Sequence, residues 1–146
     1  MTDQSQYDNL NHELRTLHAA LIKLQDEGKL SDARENAGLI GDHLMQMRLK
    51  CSLLMRFKND MIDIHSKAAA EYAAKREEIY DTLRKEGKSP SAAQDEARER
   101  TRMLEADVTV AKNNVNKVSN DYERYNPICL SLQSRMREFS TERMVG

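Results

Sequence analysis

Apolar side chains recur at alternating intervals of three and four along most of this chain. Tyr7, Leu10, Leu14, Leu17, Leu21 and Leu24 follow that spacing without a break, which predicts a first helix over about 5–27 with a coiled-coil-like seam. The seam ends near Gly28, and a short turn through Ser31 precedes Asp32 and Glu35, spaced as a capping box that opens a second helix. There Ala37, Ile40, Leu44, Met47, Cys51 and Leu54 continue the spacing, while Leu39, Leu49, Leu53 and Phe57 widen the stripe to a second flank. Two flanks imply two neighbours. Met45, Met47, Met55 and Met61 read as adaptable core filling. After Phe57 the stripe thins: Lys58 takes a seam position, followed by Met61, His65, Ala68 and Tyr72, then Ile79 and Leu83.

No Gly or Pro occurs between Gly41 and Gly87, so the second helix is predicted over about 32–86. At ~1.5 Å per residue such a helix runs roughly 80 Å, long for a chain of this size to cover alone. Gly87 suits the residue after a helix end, and Ser89 with Pro90 suits an N-cap followed by the first helical position, so a hairpin turn is expected at 87–89. The third helix, about 90–125, carries Leu104, Val108, Ala111, Val115, Val118, Tyr122 and Tyr125. Pro127 then predicts a kink or a new start, with a last helix over about 128–142 bearing Ile128, Leu130, Leu132, Met136 and Phe139. The expected fold is all-α: one elongated domain over 1–146, folded as an antiparallel helical hairpin or bundle with coiled-coil-like seams. The stripe of Leu10, Leu14, Leu17, Leu21, Leu24, Leu44, Met47 and Leu54 is expected to need a second copy for cover, which predicts a homo-oligomer.

Composition supports thin seams over a thick core. Of the 146 residues 39% are hydrophobic and 32% charged, with 5% aromatic and no Trp. A formal charge of −1 provides no global attraction for nucleic acid or an anionic membrane, so any such binding needs a local patch. The charge is uneven: residues 1–46 hold eight acids against four bases, and the remainder sixteen acids against nineteen bases. Cys51 and Cys129, distant in sequence and in apolar helical context, read as buried free thiols of a reducing compartment. The polar, acidic N-terminus lacks a secretory pattern, and no apolar run reaches a membrane-spanning length, so a cytoplasmic protein without a membrane partner is expected.

Enzyme chemistry finds no foothold. The four histidines never fall four apart and neither cysteine has a Cys or His beside it in sequence, so no metal site is expected. The five glycines make no phosphate loop, dinucleotide fingerprint or nucleophile elbow, and no cofactor is expected. Carboxylates such as Glu77, Glu78, Asp95, Glu96 and Glu99 read as solvated ion-pair partners. The bases say more. Lys75, Arg76, Arg84, Lys85, Lys88, Arg98, Arg100 and Arg102 gather around the predicted hairpin turn, interleaved with Tyr72 and Tyr80. Cations neutralise phosphates and tyrosine rings stack on unpaired bases, the combination that holds single strands without reading sequence. Seven acids share that segment, so a usable patch requires acids and bases to face different sides.

From residue 75 onward the chain resembles the UvsY-type recombination mediators of T-even and related phages. The resemblance runs over about residues 75–140 through Lys75-Arg76 in a helix continuing to Tyr80, a polar turn, LEADVTVAK at Leu104–Lys112, and ICLSLQSRMREF at Ile128–Phe139. Within the second segment Leu104, Ala106, Asp107, Val110 and Lys112 lie near the family pattern, whereas KR stands where the family has KxR. The resemblance implies a ring-shaped homo-oligomer that binds single-stranded DNA, helps displace a single-strand-binding protein and loads a RecA-like recombinase in the cytoplasm of an infected bacterium. Lys75 and Arg76 would be its DNA-contacting pair. The residues alone also fit a different class, a non-enzymatic helical module that binds protein, such as a phage inhibitor of a host system or a scaffolding adaptor.

Overall fold

The computed structural model describes residues 4–28 and 37–145, with side chains through Arg137. It contains four helices, α1 (Gln4–Asp26), α2 (Ala37–Lys85), α3 (Pro90–Arg100) and α4 (Arg102–Val145), and no strand among the described residues. The fold is all-α, as the spacing predicts. The expected capping box at Asp32 and Glu35 and the side chain of Phe139 lie outside the described residues. No helix among the described residues is long and apolar enough to cross a membrane.

The chain divides into two compact units, one of residues 1–57 with 118–146 and the other of residues 58–117. On α2 the division falls where the stripe thins, between Phe57 and Lys58.

The first unit is a three-helix arrangement. Tyr7, Leu10, Leu14 and Leu21 of α1 are buried together with Ile40, Leu44, Met47, Cys51 and Leu54 of α2 and Val118, Tyr125, Cys129 and Leu132 of α4. Directions follow from the contacts. Tyr7 meets Phe57 edge-on with ring centroids 5.7 Å apart, and Lys50 pairs with Glu13 at 2.5 Å, so α1 and α2 are antiparallel. Tyr7 also donates to Asp121 while His18 meets the Tyr125 ring edge-on, so α1 and α4 run parallel. Most of the stripe expected to need a second copy is therefore covered within one chain. Leu10, Leu14, Leu21, Leu44, Met47 and Leu54 are buried there, and Leu17 and Leu24 are half-buried. Three helices from one polypeptide close the first flank of α2, whereas Leu39 and Leu49 of its second flank lie 46% and 63% exposed. Met45 departs from core filling and lies 69% exposed.

Pro127 lies inside α4 without ending it. A proline removes one helical hydrogen bond and costs ~3 kcal/mol in a helix interior. Here it sits on the exposed side, and burial of Tyr125 and Cys129 on the opposite face holds the helix through it.

The second unit comprises the rest of α2, all of α3 and the first part of α4. Its turn forms as expected. Gly87, at φ +93°, donates to the Arg84 carbonyl while Lys88 donates to that of Leu83, the paired closure of a left-handed helix end. Ser89 then caps α3 by accepting from the Ala92 N–H, with Pro90 at the first helical position. The helix expected over 90–125 instead breaks at Thr101. That residue is fully buried, and its hydroxyl donates to the Ala97 carbonyl at 2.7 Å, satisfying a helix end from within. Leu83, Ala93, Ala97, Thr101 and Ala111 are the buried residues of this unit.

Candidate nucleic-acid interface

Tyr72, Arg76 and Tyr80 are spaced four apart on α2 and so project as one row. All three are half-buried, and together with Ala73 and Glu77 they line one wall of an open cleft of about 370 Å³. Gln94 and Ala97 of α3 supply the other wall. The cleft exists because α3 presents alanines: Ala93 and Ala97, one turn apart, are buried and let its backbone come close to α2. Nothing in the apolar pattern marks Gln94, but the Ala93/Ala97 pair was a readable sign of close helix packing.

Arg76 Nη1 donates to Tyr72 Oη at 3.2 Å, which holds the guanidinium plane along the row. A planar cation tied to one phenol and sharing a helix face with a second can stack on bases and leave other N–H groups for an anionic oxygen. The polar groups of the lining are two phenols, a guanidinium, a carboxylate and an amide. The same α2 face brings Glu77 to the rim, so the cleft is amphoteric.

The other expected contact residues are dispersed. Lys75 points away from the cleft lining and forms an exposed pair with Glu78 at 3.6 Å. Lys88 pairs with Glu96, which also receives Arg100 at 2.6 Å. The Lys88 ammonium, reinforced by Arg100, holds the Glu96 carboxyl below its ordinary range. Arg102 pairs with Glu99 at 3.3 Å, and Arg84 is turned onto the Lys88 carbonyl. Lys85 and Arg98 are exposed. Acids and bases thus share one surface here, and four of the eight bases are partly neutralised.

The first unit holds a second open cleft, of about 340 Å³, lined by residues that include Arg48, Cys51, Met55, Tyr122 and Cys129. Cys51 and Cys129 are buried free thiols, and their sulfurs lie 3.5 Å apart. A separation of 78 positions concealed that proximity in the sequence. No cluster of three or more His, Cys, Asp or Glu able to hold a metal ion occurs among the described residues. No family model, curated protein or solved structure matches the chain.

Proposed function

We propose that this chain binds single-stranded nucleic acid through the Tyr72–Arg76–Tyr80 row, acting as a DNA-binding mediator of homologous recombination. The observation that carries the reading is that row of two rings and one guanidinium lining a single cleft. Stacking on an aromatic ring contributes ~1–3 kcal/mol per base and tolerates any sequence. Because half of the neighbouring bases are engaged by acids, stacking carries more of the affinity than phosphate neutralisation does. Weak single sites gain from repetition, so the proposed working form is a homo-oligomer whose clefts act on one strand, beside a RecA-like recombinase and a single-strand-binding protein. Its contacts use surface other than the sealed Leu10–Leu21 and Leu44–Leu54 seam.

The test is fluorescence anisotropy with a labelled oligothymidine at low salt. The wild-type chain binds; Tyr72→Ala with Tyr80→Ala weakens binding at least tenfold, while Lys75→Ala alone changes it little. Unchanged affinity in the double tyrosine variant removes the cleft as the site.

A second reading, a non-enzymatic module that binds protein, is favoured by exposed apolar side chains. Met45 and Leu49 lie one turn apart on α2 at 69% and 63% exposure. That reading expects no oligonucleotide binding even at low salt, with Met45→Glu and Leu49→Glu abolishing a complex with a protein partner.

A further inference from the structure

We propose that Cys51 and Cys129 form a reversible intramolecular disulfide, making the pair a peroxide-sensitive modification site in the first unit. Two thiols from α2 and α4 face each other with sulfurs 3.5 Å apart, close to van der Waals contact. A bonded pair sits at about 2.05 Å, so closure requires a relative movement of only ~1.5 Å, within reach of side-chain rotation and slight helix adjustment. Access is built in. Both cysteines line the cleft of about 340 Å³, which is open enough for a molecule the size of hydrogen peroxide.

The two thiols are not equivalent. The Cys51 S–H and the nearby Arg48 guanidinium both favour a thiolate on Cys129, holding it below the ordinary thiol range, whereas donating that hydrogen bond and burial push Cys51 up. With the Arg48 cation lining the same cleft to support its thiolate, Cys129 is assigned as the attacking sulfur. Its thiolate attacks one peroxide oxygen, the O–O bond breaks, hydroxide leaves and takes a proton, and Cys129 becomes a sulfenic acid. Cys51, giving up its proton, attacks the Cys129 sulfur; the S–S bond forms as the S–O bond breaks and water leaves. In total two thiols and one peroxide give one disulfide and two waters, and an external thiol reverses the change. The bond ties α2 to α4 across the first unit and is independent of the second unit's cleft.

The experiment treats the reduced full-length chain with a small excess of hydrogen peroxide, quenches it, and alkylates in denaturant before intact-mass and non-reducing peptide analysis. The expected product has lost two hydrogens, takes up no alkylating reagent, contains one peptide pair joined through Cys51 and Cys129, and forms equally at tenfold dilution. Added dithiothreitol restores two reactive thiols. Two alkylatable thiols after peroxide, or disulfides only between chains, overturns the proposal. In Cys51→Ser a dimedone adduct is expected on Cys129, and in Cys129→Ser none; an adduct on Cys51 in the latter overturns the assigned order of attack. The mass of the wild-type product decides the disulfide itself even where a serine variant does not fold.

Discussion

The Tyr7 hydroxyl donates to the Asp121 carboxylate, binding the start of α1 to α4, and Asn11 donates to the same oxygen at 3.1 Å. Burial first, and then this hydrogen bond, push the Tyr7 phenol above its ordinary range. Tyr7→Phe removes one of two donors from a part-buried carboxylate, and a loss of about 1–3 kcal/mol is expected in urea unfolding. The sign of the pH effect follows from linkage. The folded chain keeps the Tyr7 proton more tightly than the unfolded one, so this stabilisation is complete below the unfolded value of about 10 and is lost progressively above it. Wild-type stability falls as pH rises past that point, and Tyr7→Phe has a flatter alkaline limb.

His43 contributes the opposite limb. It is buried on α2, bonded to the Leu17 backbone, with Nε2 lacking a hydrogen-bond partner among the described residues. Burial lowers its affinity for a proton, and the backbone contact only partly offsets that. The folded chain thus prefers neutral imidazole: stability is full above the unfolded value of about 6.5 and declines as pH falls below it. Thermal melting at pH 7.5 and 5 checks this, with His43→Leu expected to show a smaller difference between the two.

Gly87 isolates a backbone effect. A methyl at its Cα would meet nothing within 4 Å, yet φ is +93°. Gly87→Ala is expected to cost about 1–2 kcal/mol purely through the left-handed conformation. Proteolysis near residue 87 should accelerate while the near-ultraviolet signal of Tyr7 and Tyr125 in the first unit persists.

Ion pairing in the second unit sets a salt dependence. Single-strand binding loses affinity with a logarithmic slope of about −0.7 per neutralised phosphate. With Lys75, Lys88, Arg100 and Arg102 already beside acids, a slope of about −3 per chain, carried by Arg76, Arg84, Lys85 and Arg98, is expected from titrations between low and moderate salt. Glu96→Gln frees Lys88 and Arg100 and should steepen it.

Helix existence was legible because three-and-four spacing is a local property, and the turn at Gly87, Ser89 and Pro90 was legible because each residue answers a specific backbone need. Partnership between distant positions was not. The spacing of Leu14 and Leu54 marks a seam but does not say whether its cover comes from the same chain. The break at Thr101 depends on a hydroxyl bending back to Ala97, and the helix survives Pro127 because Tyr125 and Cys129 happen to be buried on the far side. By contrast, the pairing of Lys75 with Glu78 was legible, since a carboxylate three positions on along a helix lies within reach of the ammonium. The row of Tyr72, Arg76 and Tyr80 was legible too, since a spacing of four fixes a shared face within one helix.

The sealed residues of the second unit are one leucine, three alanines and a threonine, so few methyl groups leave water when its helices come together. Apolar area sets the free energy of local opening, which makes this unit the cooperative segment whose amides trade hydrogen for deuterium first. Any ligand seated beside Ala97 then meets a wall that breathes, and occupancy should show as slowed exchange in α3 rather than as a change in its shape.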